Sequence, residues 1–137
     1  MANLHLTILI ADDDLEDLEL VEDAIIKQEP SVKIHKLTNG QAVIDYLAKR
    51  VSADLPCLIV LDYNMRELNG SQVLAQISRE ERYNGIPKII WSTSNTPAYI
   101  RECIKNGAAE YLVKPNNMKD LEVLASKMLR WCNTNGS

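Results

Sequence analysis

Apolar positions along the chain follow two periods in turn. Leu6 to Ala11 (LTILIA) is a short apolar, β-branched run and predicts a buried strand. Leu15 to Gln28 follows with Leu18, Val21, Ile25 and Ile26 on one helical stripe, and Pro30 closes that helix. Val32 to Leu37 alternates apolar and polar, the pattern of a half-buried strand. Thr38-Asn39-Gly40 marks a turn, and Ala42, Val43, Tyr46 and Leu47 mark a second helix. Cys57 to Leu61 (CLIVL) is apolar throughout, which suits a central parallel strand covered on both faces. Tyr63 to Asn69 reads as a loop ending at Gly70, and Val73, Leu74 and Ile77 give a third helix. Pro87 to Trp91 (PKIIW) predicts a fourth strand. Thr96-Pro97 is a helix start, with Thr as N-cap and Pro at the first position. Ile100, Cys103 and Ile104 form that helix's stripe, and Asn106-Gly107 closes it. Glu110 to Val113 is a short fifth strand. The last helix starts near Asn117, carries Leu121, Leu124, Ala125, Met128 and Trp131, and stops before a frayed polar tail, Asn133 to Ser137.

The order is β-α five times over. Right-handed crossovers then place helices on both faces of one parallel sheet, an α/β fold. All strands end on the same edge, and ligands of such sheets bind there, where the strand order reverses. With order 2-1-3-4-5, the flavodoxin-like arrangement, strands one and three are neighbours. The 137 residues fit one domain, and no repeat or Gly/Ser linker divides them. A hydrophobic content of 46% excludes disorder. No apolar run approaches the roughly 20 residues of a membrane span, and no signal peptide opens the chain, so a cytoplasmic location is expected. The net charge of -4, with Lys and Arg scattered, disfavours nucleic acid as a partner. Cys57, Cys103 and Cys132 are widely spaced and odd in number, which predicts reduced, mostly buried thiols rather than disulfides. No Cys/His cluster offers a zinc site, and His5 and His35 read as surface residues.

The chemistry gathers at strand ends. Strand one runs into Asp12-Asp13-Asp14, strand three ends at Asp62, strand four at Ser92-Thr93 and strand five at Lys114-Pro115. Carboxylates delivered to one crevice repel each other and shift their pKa values upward unless compensated. A hard divalent cation with oxygen ligands and retained waters, Mg²⁺, is the simplest compensation. A cation, an ammonium and a hydroxyl also suit a phosphoryl group, with an Asp carboxylate as nucleophile. Asp62, after the most buried strand, is the best candidate for that nucleophile.

The segments ILIADDD (8–14), LIVLDYNM (58–65) with Gly70 downstream, PKIIWSTS (87–94) and GAAEYLVKP (107–115) together resemble the receiver domain of two-component response regulators. The resemblance spans about residues 5 to 132 of a single domain, 1–137, with no output domain after it. It looks most like the small single-domain regulators of the phytochrome-associated kind. The resemblance implies that Asp62 receives a phosphoryl group from a histidine kinase or phosphotransfer protein. It implies that Asp12, Asp13, Asp62 and the backbone carbonyl of Asn64 bind Mg²⁺. Ser92, with Thr93 beside it, fills the switch hydroxyl position, Lys114 is the phosphoryl-binding lysine, and Tyr111 matches the aromatic that rotates inward. A cis bond before Pro115 is also implied. Three positions depart from the family pattern: Arg66 stands where Pro is common, Ser92 where Thr is commoner, and Asn116 where an apolar residue is usual.

Each residue also has a plainer reading. Asp12 to Asp14 can simply cap the first helix, and Asp14 can do so while Asp12 and Asp13 ligate. Asp62 can be a turn residue, Lys114 a solvated lysine, and Tyr111 ordinary core. A haloacid-dehalogenase-type phosphatase also uses an Asp after a strand, but it needs a second acid two residues on, where this chain has Asn64. A pseudo-receiver scaffold would show degeneration at the acids or Lys114, and these are intact. A flavin carrier lacks its phosphate-binding loop after strand one. The signal is expected to leave by contact with a downstream protein, and the fourth and fifth helices could pair two copies.

Overall fold

The computed structural model describes residues 6–136. Five strands, β1 (Thr7–Ala11), β2 (Lys33–Leu37), β3 (Leu58–Asp62), β4 (Lys88–Ser92) and β5 (Glu110–Val113), form one parallel sheet in the order β2-β1-β3-β4-β5. Five helices connect and follow them: α1 (Leu15–Gln28), α2 (Gly40–Ala48), α3 (Gly70–Ile77), α4 (Pro97–Lys105) and α5 (Met118–Gly136). The period-2 alternation of the strands divides the core in two. Ile8, Ile10, Leu58, Val60, Ile89 and Trp91 pack on one face under α1 and α5. Leu9, Ala11, Ile59, Leu61 and Ile90 pack on the other under α2, α3 and α4. β3 and β4 are buried along their whole length, which accounts for the apolar runs 58–61 and 89–91 within them.

Local chemistry sets the boundaries. Asp14 caps α1 by accepting from the backbone N–H of Glu16 and Asp17 at 3.0 and 3.1 Å. Asn39 caps α2, and Asn69 with Gln72 forms a reciprocal capping box on α3. Gly107, at φ 115°, supplies the left-handed residue after α4.

Three sequence expectations are corrected. Cys57 and Cys132 form a disulfide, with Cα atoms 4.9 Å apart, leaving only Cys103 as a free thiol. The topology brings the start of β3 against the end of α5, a meeting that an odd cysteine count does not reveal. The final helix does not stop before Asn133 but continues to Gly136, beyond the turn anchored by that disulfide. His35 is half-buried rather than on the surface, its ring 4.4 Å from that of Tyr46. His5 lies outside the described residues. No described helix is long and apolar enough to cross a membrane.

Candidate functional site

The site forms where β1, β3 and β4 end. Just past β1, the Asp12 backbone N–H donates to the Leu37 carbonyl at 3.0 Å, so sheet pairing carries the acid to the edge before the chain turns. Its carboxylate is fully buried. One oxygen accepts from the Asp14 N–H at 2.9 Å and the other meets Lys114 Nζ at 2.7 Å. Asp13 is exposed, yet Asp12, Asp13 and Asp62 each place a carboxylate oxygen within 4.8 Å of the other two. Asp14 stands aside as the helix cap.

Asp62 is the last residue of β3 and is 5% exposed. The loop after it must return tightly. Gly70 N–H donates to the Tyr63 carbonyl at 2.8 Å. A Cβ at Gly70 would stand 2.6 Å from the Asp62 carbonyl oxygen and 2.9 Å from Ile90 Cδ1. Only glycine lets α3 begin this close to the acid. Asn64 is exposed, and its backbone hydrogen-bonds to Asp62.

β4 delivers Ser92, fully buried, whose hydroxyl accepts from the Ser94 N–H at 3.2 Å. Thr93 points outward and is exposed, so the structure does not bring it into the group. The half-buried Tyr111 donates its hydroxyl to the Ser94 carbonyl at 2.7 Å. Lys114 follows β5, and its backbone N–H donates to the Ser92 carbonyl at 2.8 Å. Its ammonium sits 2.7 Å from Asp12, 2.8 Å from Asp17 and 3.7 Å from Asp62, and 4.9 Å from the centre of the Trp91 ring. The expected cis bond before Pro115 is corrected: no cis peptide occurs among the described residues. A trans backbone already continues the sheet pairing at Lys114 and carries its amine to the acids, so the costlier isomer has nothing to add.

Three carboxylates, Asp12, Asp17 and Asp62, thus face one ammonium. Burial pushes the Asp62 carboxyl up to about 7, the neighbouring Asp12 charge adds to the rise, and Lys114 only partly opposes it. Burial likewise raises Asp12, against the pull of Lys114. Burial alone would lower Lys114, but its bonds to Asp12 and Asp17 and the charge of Asp62 carry it above the ordinary lysine value. The donor set fits a hard divalent cation. It consists of oxygens only, one acid is exposed and keeps the site open, and the buried pair holds more negative charge than one lysine neutralises.

Three contacts escaped the sequence reading. Asp17 lies in the first turn of α1, where an acid complements the positive helix end. Asp13 precedes the Asp14 cap and is not helical, so no helical spacing ties Asp17 to the acids at the end of β1. Tyr63, directly after Asp62, stacks on Tyr99 of α4 with ring centres 4.3 Å apart and planes 11° from parallel. Its hydroxyl donates to Glu102 at 3.1 Å. Trp91, expected only as the end of the fourth strand, lies beneath the Lys114 ammonium.

The chain belongs to the response regulator receiver domain family, which matches residues 8–126. It is a receiver domain of the two-component signalling class. Two-component response regulator ARR8 of Arabidopsis thaliana is 28% identical over 138 residues, covering 90% of this chain and 60% of that protein. The chain therefore spans about 60% of the length of that curated relative. The phosphorylated cyanobacterial phytochrome response regulator RcpA superposes with a TM-score of 0.85 at 25% identity, covering 95% of this chain and 96% of that one. The Mn(2+)-bound form of response regulator Rcp1 gives 0.78 at 26% identity, covering 89% and 90%. The expected likeness to phytochrome-associated regulators is thereby found in the solved structures.

Proposed function

We propose that Asp62 accepts a phosphoryl group from the phosphohistidine of a histidine kinase or phosphotransfer protein. A carboxylate oxygen of Asp62 forms the new bond to phosphorus, the phosphorus–nitrogen bond of the donor breaks, and the imidazole leaves. Asp12, Asp13, Asp62 and the Asn64 backbone carbonyl would hold Mg²⁺, which supplies charge neutralisation for the carboxylate and the phosphoryl oxygens. Lys114 binds one of those oxygens and Ser92 another. Tyr111, already bonded beside Ser92 through the Ser94 carbonyl, follows the hydroxyl as it moves. The change reaches the surface formed by α4, β5 and α5, where Tyr99, Ile104, Val113, Met118 and Val123 expose apolar area to a downstream protein or a second copy. The chain is read as one receiver unit acting as a switch in the cytoplasm, signalling by protein contact.

The observation that carries this reading is the convergence of Asp12, Asp62, Ser92 and Lys114 from four strand ends. It is tested by incubating the protein with Mg²⁺ and acetyl phosphate and measuring intact mass. We expect one added phosphoryl group, mapped to Asp62 and absent from Asp62→Asn. An adduct that survives in Asp62→Asn overturns the assignment.

A further inference from the structure

We infer that Asp17 is a positioning residue that holds the Lys114 ammonium away from Asp62. This inference rests on the reading of Lys114 as the phosphoryl-binding amine. An ammonium has three N–H donors. In this structure it lies 2.7 Å from Asp12 and 2.8 Å from Asp17, while Asp62 at 3.7 Å is beyond hydrogen-bond reach. Asp12 cannot be the element that gives way, since its carboxylate is fully buried. Asp17 can. Its side chain is 28% exposed, and it does not belong to the group of three acids that share one possible cation position.

The local structure makes Asp17 a dependable but releasable anchor. Its backbone N–H is fixed by the Asp14 cap at 3.1 Å, so the carboxylate projects from a set place on the first turn. Water and the positive end of α1 can both stabilise that carboxylate once the lysine leaves. A phosphoryl group on Asp62 brings more negative charge than Asp17 carries, and draws the ammonium across. The switch of partner from Asp17 to the phosphoryl oxygen therefore subtracts one partly buried ion pair from the free energy of phosphoryl binding. Asp17 thereby sets the threshold of the site without touching the reacting atoms.

The test uses the full chain with saturating Mg²⁺ and beryllofluoride as a phosphoryl mimic. Wild type, Asp17→Asn, Asp17→Glu, Lys114→Met and the double variant Asp17→Asn/Lys114→Met are titrated. Asp17→Asn is expected to bind the mimic about threefold more tightly, the size of one modest ion pair. Asp17→Glu should restore the wild-type affinity, and the gain should vanish in the Lys114→Met background. In a metal-free crystal of Asp17→Asn, Lys114 Nζ should lie within about 3.2 Å of an Asp62 oxygen. Unchanged or weaker binding in Asp17→Asn, a gain that persists without Lys114, or an unmoved ammonium in that crystal overturns the inference. Failure of the wild type to bind the mimic overturns the reading of the site itself, a distinct outcome.

Discussion

The two ends of the sheet are built from similar residue types and settle their charges in opposite ways. At the end where strands begin, Cys57, Lys88 and Trp131 each have a partner that is not another buried charge of the same sign. Cys57 is joined to Cys132, the buried Lys88 ammonium donates to the Tyr83 carbonyl at 2.6 Å, and Trp131 Nε1 donates to Glu110 at 2.8 Å. At the end where strands finish, the buried acids Asp12 and Asp62 share one lysine with Asp17. The first arrangement stabilises the fold and leaves little to be gained by a ligand. The second keeps like charges together, at a cost to the resting protein that a cation and a phosphoryl group can offset. Position in the topology, rather than residue type, separates structural polar groups from functional ones.

The comparison can be broken most forcefully at the disulfide. It closes a span of 75 residues, so reduction should lower unfolding free energy by about 4 kcal/mol. Below the melting temperature, phosphoryl uptake at the far end should be unchanged. Urea unfolding with and without reductant checks the first, and intact mass after acetyl phosphate the second. A parallel loss of uptake would show that the two ends are coupled.

The acid end should carry the opposite sign. Because the folded-state pKa of Asp62 is raised to about 7 from 3.8, the folded chain holds a proton that the unfolded chain has lost between these values. Without divalent cations, stability is therefore highest at the acid side of that window and falls as pH rises through it. The raised Asp12 acts in the same direction. Above pH 7, Asp62→Asn should be more stable than wild type by about 2 kcal/mol, and its stability should depend less on pH. Chemical unfolding across the window measures both, and an Asp62→Asn variant less stable than wild type would contradict the stored repulsion.

The smallest expected effect sharpens the contrast between two lysines. Lys88 is 6% exposed, with its pKa lowered by burial, and forms no ion pair among the described residues. Lys88→Met keeps the length and removes the buried charge, so stability should stay level or rise by about 1 kcal/mol with phosphoryl uptake intact. The same unfolding and mass measurements apply. A loss of more than that amount would mean that the bond to Tyr83 is a structural requirement.

The sequence announces the acid end better than the other. Apolar strands that stop at Asp, Ser and Lys are visible without coordinates, because the strand period and the shared direction of parallel strands place all three on one edge. Asp17 was hidden because an acid in the first turn of a helix has a sufficient local reason to be there. The link between Cys57 and Cys132 was hidden because it depends on where α5 ends relative to the base of β3, a tertiary distance that no local pattern encodes. Thr93 was placed with Ser92 by adjacency alone, but β4 ends at Ser92 and the chain bends at Thr93, which leaves that side chain exposed. The bond before Pro115 was implied by likeness to other chains, not by any feature of this one.

Tyr63 sits one peptide beyond Asp62, the proposed acceptor, with its ring stacked on Tyr99 and its hydroxyl on Glu102, so residue 62 and α4 are linked by direct contact. Whatever tilts α4 from outside must press on the acceptor as firmly as the acceptor presses on α4. If Asp62 is the acceptor, a protein that grips this helix would shift the equilibrium of its modification by the same factor that modification shifts the grip.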